Sequence, residues 1–139
     1  MEYVDFAIKY WYLFVALLVV LALLGLGPIS ELIHGIKHLN VWDAVRLINH
    51  ESAVVVDVSE QHEFKMGHIP NSINVPLAAL AKRVKELEKH KEKPIVFSCR
   101  TGNRSSRGAV ILRKHGFENV YTLSGGTSAW ERDNLPLEK

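Results

Sequence analysis

The chain has 139 residues, enough for one domain of ordinary size beside a membrane segment and too few for a second enzymatic domain. Its 17 Lys+Arg against 15 Asp+Glu leave a formal charge of +2 with no long run of one sign, so there is no electrostatic case for a nucleic-acid partner. A single cysteine, Cys99, excludes an intrachain disulfide and favours a reducing compartment.

From Tyr10 to Gly27 the run YWYLFVALLVVLALLGLG carries no charge, and its 18 residues at about 1.5 Å each span about 27 Å, enough to cross bilayer hydrocarbon. Tyr3, Tyr10, Trp11 and Tyr12 gather at one end, where aromatic rings suit the membrane interface, and Pro28 is expected to stop the helix. Glu2 and Asp5 face Lys9 in the leader and no A-x-A-like site follows, so the segment reads as a retained anchor rather than a signal peptide. Residues 1–29 are assigned to this lipid-contacting anchor, with its helix at about 10–27, residues 30–38 to a juxtamembrane linker and 39–139 to the folded domain. The acidic N-terminus and the lone thiol predict a single-pass protein of a bacterial inner membrane with its domain in the cytoplasm.

Beyond the linker, apolar runs alternate with amphipathic segments, the rhythm of an α/β fold with a parallel sheet flanked by helices on both faces. Asn40 is suited to cap a helix whose inward positions are Val41, Ala44, Val45 and Ile48. Ala53–Asp57 reads as a strand buried on both faces. A helix is expected from Leu77 to about His90, with Leu77, Leu80, Val84 and Leu87 inward and Lys82, Arg83, Lys85, Glu86 and Lys89 in solvent. Ile95–Ser98 forms a second buried strand, a helix follows from about Arg104 to His115 and ends at Gly116, and Val120–Leu123 is a third strand. Gly125-Gly126 then leads into a short helix around Ala129 and Trp130, where Trp130 reads as core.

The chemistry concentrates where the second strand ends, in Cys99-Arg100-Thr101-Gly102-Asn103-Arg104. Sites in parallel sheets form at the carboxyl ends of strands. A loop that wraps one atom and runs into a helix N-terminus points backbone N–H groups at its centre, which favours an anion there and presents a cysteine as a thiolate nucleophile. Gly102 lets the backbone turn, and Arg100 and Arg104 supply positive charge. A lone cysteine after an apolar strand is ordinarily an inert core residue. The five polar or flexible residues behind Cys99 argue against that reading.

The loop resembles the active-site loop of the rhodanese family. The stretch from Val56 to Pro76, with Asp57, Glu63, Gly67, His68 and Ile69, and the later Leu123–Trp130 are similar to two further signatures of that family, in the same order. The resemblance implies a sulfurtransferase. Cys99 takes a sulfane sulfur from a donor such as thiosulfate or a persulfide, holds it as a persulfide and passes it to a thiol or cyanide, without metal or cofactor. Arg100, Thr101, Gly102, Asn103 and Arg104 would bind the donor, and Asp57 would support the site from behind. Two positions depart from the family pattern: Ser59 stands where arginine is more frequent, removing an ion pair with Glu63, and Asn71-Ser72 replaces a glycine-alanine pair, read as a tolerated turn change.

Three other readings compete. A cysteine phosphatase of related fold needs a wider loop, typically five residues between cysteine and arginine, and here four intervene. A membrane-anchored binding module without turnover, recruiting a membrane-protein partner, is the main alternative. His34 and His38 have the i, i+4 spacing of a helical metal pair, but no third ligand is near in sequence and they read as solvated; His68 reads as structural.

Overall fold

The computed structural model describes the backbone of residues 2–33 and 35–139 and the side chains of 2–24 and 35–139. It divides after Ile33 into two compact units.

The first unit holds α1 (Glu2–Lys9) and α2 (Trp11–Ile33), separated at Tyr10. This differs from one helix over 10–27. The break falls at Tyr10, and α2 continues past Pro28; the residue before it in the sequence is glycine, which has no Cβ for a proline to crowd. Among the described residues no single helix is long and apolar enough to cross a membrane. By length and composition, α1 and Trp11–Leu24 pass that test only together, as a pair bent by 61°.

The second unit is built on β1 (Lys37–Leu39), β2 (Val54–Asp57), β3 (Ile73–Asn74), β4 (Ile95–Ser98) and β5 (Val120–Leu123). They form one sheet in the order β1-β5-β4-β2-β3, every pairing parallel. β1 straddles the boundary drawn from sequence between linker and domain, with His38 in the strand and its Nδ1 bonded to the Thr122 hydroxyl; His34 lies outside the described residues.

Both faces of the sheet are covered, which is why its central strands read as unbroken apolar runs. The pleat sends Val56, Ile95, Phe97 and Cys99 to one face, against Leu80, Leu87, Ala109 and Leu112. Val55, Val96 and Leu123 face the other side with Val41, Ala44 and Trp130. Helix α3 (Val41–Glu51) opens as expected, with Asn40 Oδ1 accepting the Asp43 N–H at 2.8 Å. Leu77–His90 is broken into α5 (Leu77–Leu80), α6 (Val84–Leu87) and a 3₁₀ turn, Glu88–His90, with Leu77, Leu80, Val84 and Leu87 still packed in the core beside the sheet. A helix that the apolar periodicity does not reveal, α4 (Gln61–Met66), follows β2.

The register sets Asp57 of β2 beside Ser98 of β4, with β5 on the other flank of β4. The segments leaving β2, β4 and β5 therefore meet at one edge. The loop after β4 runs into α7 (Asn103–Lys114), and the turn after β5 runs into α8 (Gly126–Arg132), whose first amides reach across to that loop. Thr127 donates to the Cys99 carbonyl at 2.8 Å and Ser128 to the Arg100 carbonyl at 3.1 Å. The approach needs a residue without a side chain at Gly126, where φ is +58° and a Cβ would lie 2.0 Å from the Cys99 carbonyl oxygen. Gly126→Ala should push α8 off the loop and cost about 2–4 kcal/mol of stability, measured by urea unfolding, through the clash and the strained backbone.

Candidate active site

Cys99 directly follows β4 and is completely buried, as an inert core cysteine would be. What sets it apart is the amide of Gly102, which donates to Sγ at 2.9 Å. Gly102 reaches this position with φ at +101°, in the region that favours glycine. The Ser105 hydroxyl, wholly buried in the first turns of α7, donates to the Gly102 carbonyl at 2.8 Å and stands 3.8 Å from Sγ. Because α8 holds the Cys99 and Arg100 carbonyls, the N–H groups of the same trans peptides, those of Arg100 and Thr101, turn away from α8. The Gly102 amide at Sγ, with the Cys99 and Arg100 carbonyls drawn to α8, gives the loop a polarity that suits an anionic sulfur.

Of the loop's side chains, Arg100, Thr101 and Asn103 are exposed. Arg104 is held in a bidentate ion pair, Nη1 to Glu63 Oε2 at 2.7 Å and Nη2 to Glu63 Oε1 at 3.0 Å. Glu63 also accepts the Glu60 N–H at 2.8 Å, so one carboxylate closes the first turn of α4 and ties it to α7. Glu63, expected from the resemblance to lose an ion pair with Ser59 in place of arginine, is paired with the loop's own Arg104. That guanidinium lies within electrostatic reach of Cys99 and Asp57, and its bond to Glu63 holds it protonated more firmly than usual.

Asp57 is 2% exposed at the end of β2. Burial pushes its carboxyl up from the usual range, opposed by hydrogen bonds from Ser59, whose N–H reaches Asp57 Oδ1 at 2.8 Å. Asp57 and Ser59 line a cleft of about 210 Å³ whose other walls include Arg100, Thr127, Glu131 and Leu137. The structure therefore gathers Cys99, Gly102, Arg104 and Asp57 of the residues singled out from sequence, and leaves Thr101 and Asn103 in solvent. Sequence reasoning missed Glu63 as the partner of Arg104, Ser105 beneath the sulfur and the cleft wall from α8. The Glu60-x-x-Glu63 spacing of a capping box was the available signal for the first.

His68 is structural, as read from sequence. Its ring stacks on Phe64 with centroids 3.6 Å apart, and Nδ1 bonds the Phe64 carbonyl at 2.8 Å. Its backbone exchanges two 2.9 Å bonds with Glu138, which carries Leu137 to the cleft wall. Asn71 adopts φ of +66°, a left-handed turn that asparagine tolerates and glycine favours, and its N–H donates to Glu138 Oε1 at 2.9 Å. No group of His, Cys, Asp or Glu among the described residues has the arrangement of a metal site.

The hydrogen bond from Arg104 holds Glu63 well below its ordinary 4.5, at about 2. A carboxyl depressed on folding stabilises above its unfolded value, and the contribution is lost as the pH falls through the folded one. Wild type and Glu63→Gln, separated in urea midpoint at neutral pH with wild type the more stable, should converge as the pH falls from 4.5 to about 2.

Comparison with known proteins agrees with this geometry. A family model described as the Rhodanese-like domain matches residues 42–133. The uncharacterised protein YibN of Escherichia coli K12 is 36% identical over 137 residues, covering 98% of this chain and 96% of YibN. The thiosulfate sulfurtransferase GlpE of Pseudoalteromonas translucida is 34% identical over 95 residues, 68% of this chain and 89% of its own length. Among solved structures, a rhodanese-related protein from Thermoplasma volcanium superposes with a TM-score of 0.67 at 31% identity, covering 73% of this chain and 97% of that one. The chain belongs to the rhodanese-like domain family.

Proposed function

We propose that the protein is a sulfurtransferase whose nucleophile is Cys99. The observation that carries this reading is the Gly102 amide aimed at Sγ at 2.9 Å, inside a loop of four residues closed by an arginine. Such a loop suits a sulfur atom better than a tetrahedral phosphate, which favours sulfur transfer over phosphatase chemistry. The relationship to GlpE, a thiosulfate sulfurtransferase, points the same way.

In this reading the Cys99 thiolate attacks the outer sulfur of thiosulfate, the sulfur–sulfur bond breaks, and sulfite leaves with the bonding pair. The new persulfide rests on the inward amides of the loop, with Arg104 contributing positive charge and Arg100 meeting the donor. An acceptor thiolate or cyanide then attacks the outer sulfur and regenerates the Cys99 thiolate. The thiol is buried, so the donor's outer sulfur reaches it through the loop's own opening. After thiosulfate treatment, the intact mass of the full chain should rise by one sulfur atom, fall back on adding cyanide, and stay unchanged in Cys99→Ser. No gain with thiosulfate or with a persulfide would shift the reading to a binding module without turnover.

The N-terminal unit, in the same proposal, holds the domain at a bacterial inner membrane, facing the cytoplasm. Leu13, Phe14, Leu18 and Val19, spread around the helix, are each more than half exposed, and an apolar helix open on every side calls for lipid or a partner membrane protein. The alignment with YibN leaves only two residues of this chain uncovered, so it includes most of this segment. The full chain should stay in the membrane pellet through an alkaline carbonate wash and enter detergent. Recovery in the wash would remove the anchor from the proposal.

A further inference from the structure

The sulfur of Cys99 closes a ring of three hydrogen bonds. The Gly102 amide donates to Sγ at 2.9 Å, the thiol donates to Ser105 Oγ at 3.8 Å, and the Ser105 hydroxyl donates to the Gly102 carbonyl at 2.8 Å. Cys99 and Ser105 are both wholly buried, so a charge that forms on Sγ must be met by the protein itself. The ring as it stands fits a neutral thiol. Once ionised, Sγ keeps the Gly102 amide but has no proton to give, and a lone pair of Ser105 Oγ then faces a negative sulfur unless the hydroxyl turns. A serine hydroxyl rotates freely about its Cβ–Oγ bond. The carbonyl it leaves is not orphaned, because Gly102 is the N-cap of α7 and an N-cap carbonyl accepts the first intrahelical bond. A hydrogen bond to a charged acceptor is about twice as strong as one between neutral groups, and that decides the direction of the turn.

Resting on the sulfurtransferase reading, we propose that Ser105 is a movable hydrogen-bond donor to the reacting sulfur: its hydroxyl lies on the Gly102 carbonyl while Cys99 is a thiol or a persulfide, and turns to Sγ while Cys99 is a thiolate. The thiol proton leaves to solvent, and Ser105 keeps its own proton throughout. When the thiolate bonds to the outer sulfur of thiosulfate, the sulfur–sulfur bond of the donor breaks and sulfite departs with the pair. Negative charge has then moved one sulfur outward, Sγ is neutral, and the hydroxyl returns to the Gly102 carbonyl. When an acceptor attacks the outer sulfur, the bond from that sulfur to Sγ breaks, its pair returns to Sγ, and Ser105 turns again. The same contact therefore makes Cys99 a better leaving group and a less basic nucleophile, so its removal affects the two halves of the cycle differently.

Cys99 is the only cysteine of the chain, so its reaction with the small reagent methyl methanethiosulfonate can be followed by intact mass of the full chain in detergent, from about pH 5 to about pH 10. Ser105→Ala removes one buried oxygen, adds no atom and places a stronger helix former in α7. Loss of a bond to the charged sulfur should make that sulfur about tenfold more basic. Thiolate nucleophilicity rises with basicity by an exponent of about 0.4–0.5, so the variant should react about threefold more slowly than wild type at the acid end and about threefold faster at the alkaline end. Release of a loaded sulfur to cyanide, with Cys99 as leaving group, should fall about threefold at every pH. Loosened packing alone would shift the reaction by one factor across the whole range. Profiles that fail to cross, or a release rate that does not fall, overturn the inference, and Ser105→Gly lacks the same hydroxyl if Ser105→Ala does not fold. Loading of the wild type by thiosulfate is scored separately. Sulfur gained on Cys99 with profiles that do not cross overturns the role of Ser105 and leaves the sulfurtransferase reading standing. Crossing profiles with no sulfur gained from any donor overturn that reading and keep the contact between Ser105 and the thiolate.

Discussion

The shape of the Cys99 loop depends on hydrogen bonds that originate in another part of the chain. Thr127 and Ser128, in the first turn of α8, hold the carbonyls of Cys99 and Arg100 from outside, and the peptide planes are thereby turned so that their amides face the other way. Everything upstream in the fold serves that contact. The parallel pairing of β4 with β5 brings the two strand ends together, Trp130 anchors α8 in the core, and Gly126 allows the backbones to meet. A loop of this composition, released from α8, would lose the polarity that distinguishes Cys99 from any other buried cysteine.

A second constraint is electrostatic. The site collects Arg104, Glu63 and Asp57 within a half-buried space, where each charge must be matched. Glu63 and Arg104 match each other, and their pairing carries the α4 segment against the start of α7. Asp57 has hydrogen bonds from Ser59 but no cation bonded to it. Ser59 and Asp57 both line the cleft beside the loop.

Much of the architecture was legible because its elements obey simple periods. The central strands are apolar throughout, as strands covered on both faces must be, and their ends were placed within a residue. The Asn40 cap and the helix after Arg104 were equally plain. The missed elements are those whose stability comes from elsewhere. β1 is three residues, Lys37–Leu39, and exists through its pairing with β5, which no local pattern announces. The spacing of Leu77, Leu80, Val84 and Leu87 fits one helix as well as two short ones, since both present the same face to the sheet. In the site, sequence located Cys99 and its loop but could not show that Arg104 is already paired or that α8 forms part of the wall. Those are contacts across 41 residues and 28 residues of chain, set by topology.

His68 and Glu138 join in an antiparallel bridge that lays the last residues of the domain along α4, with Leu137 in the cleft wall. Chain joined to Lys139 therefore departs beside the entrance to the cleft. A purification tag or fused reporter placed there would sit at the mouth of that cleft, where it could narrow the opening and leave the sheet untouched.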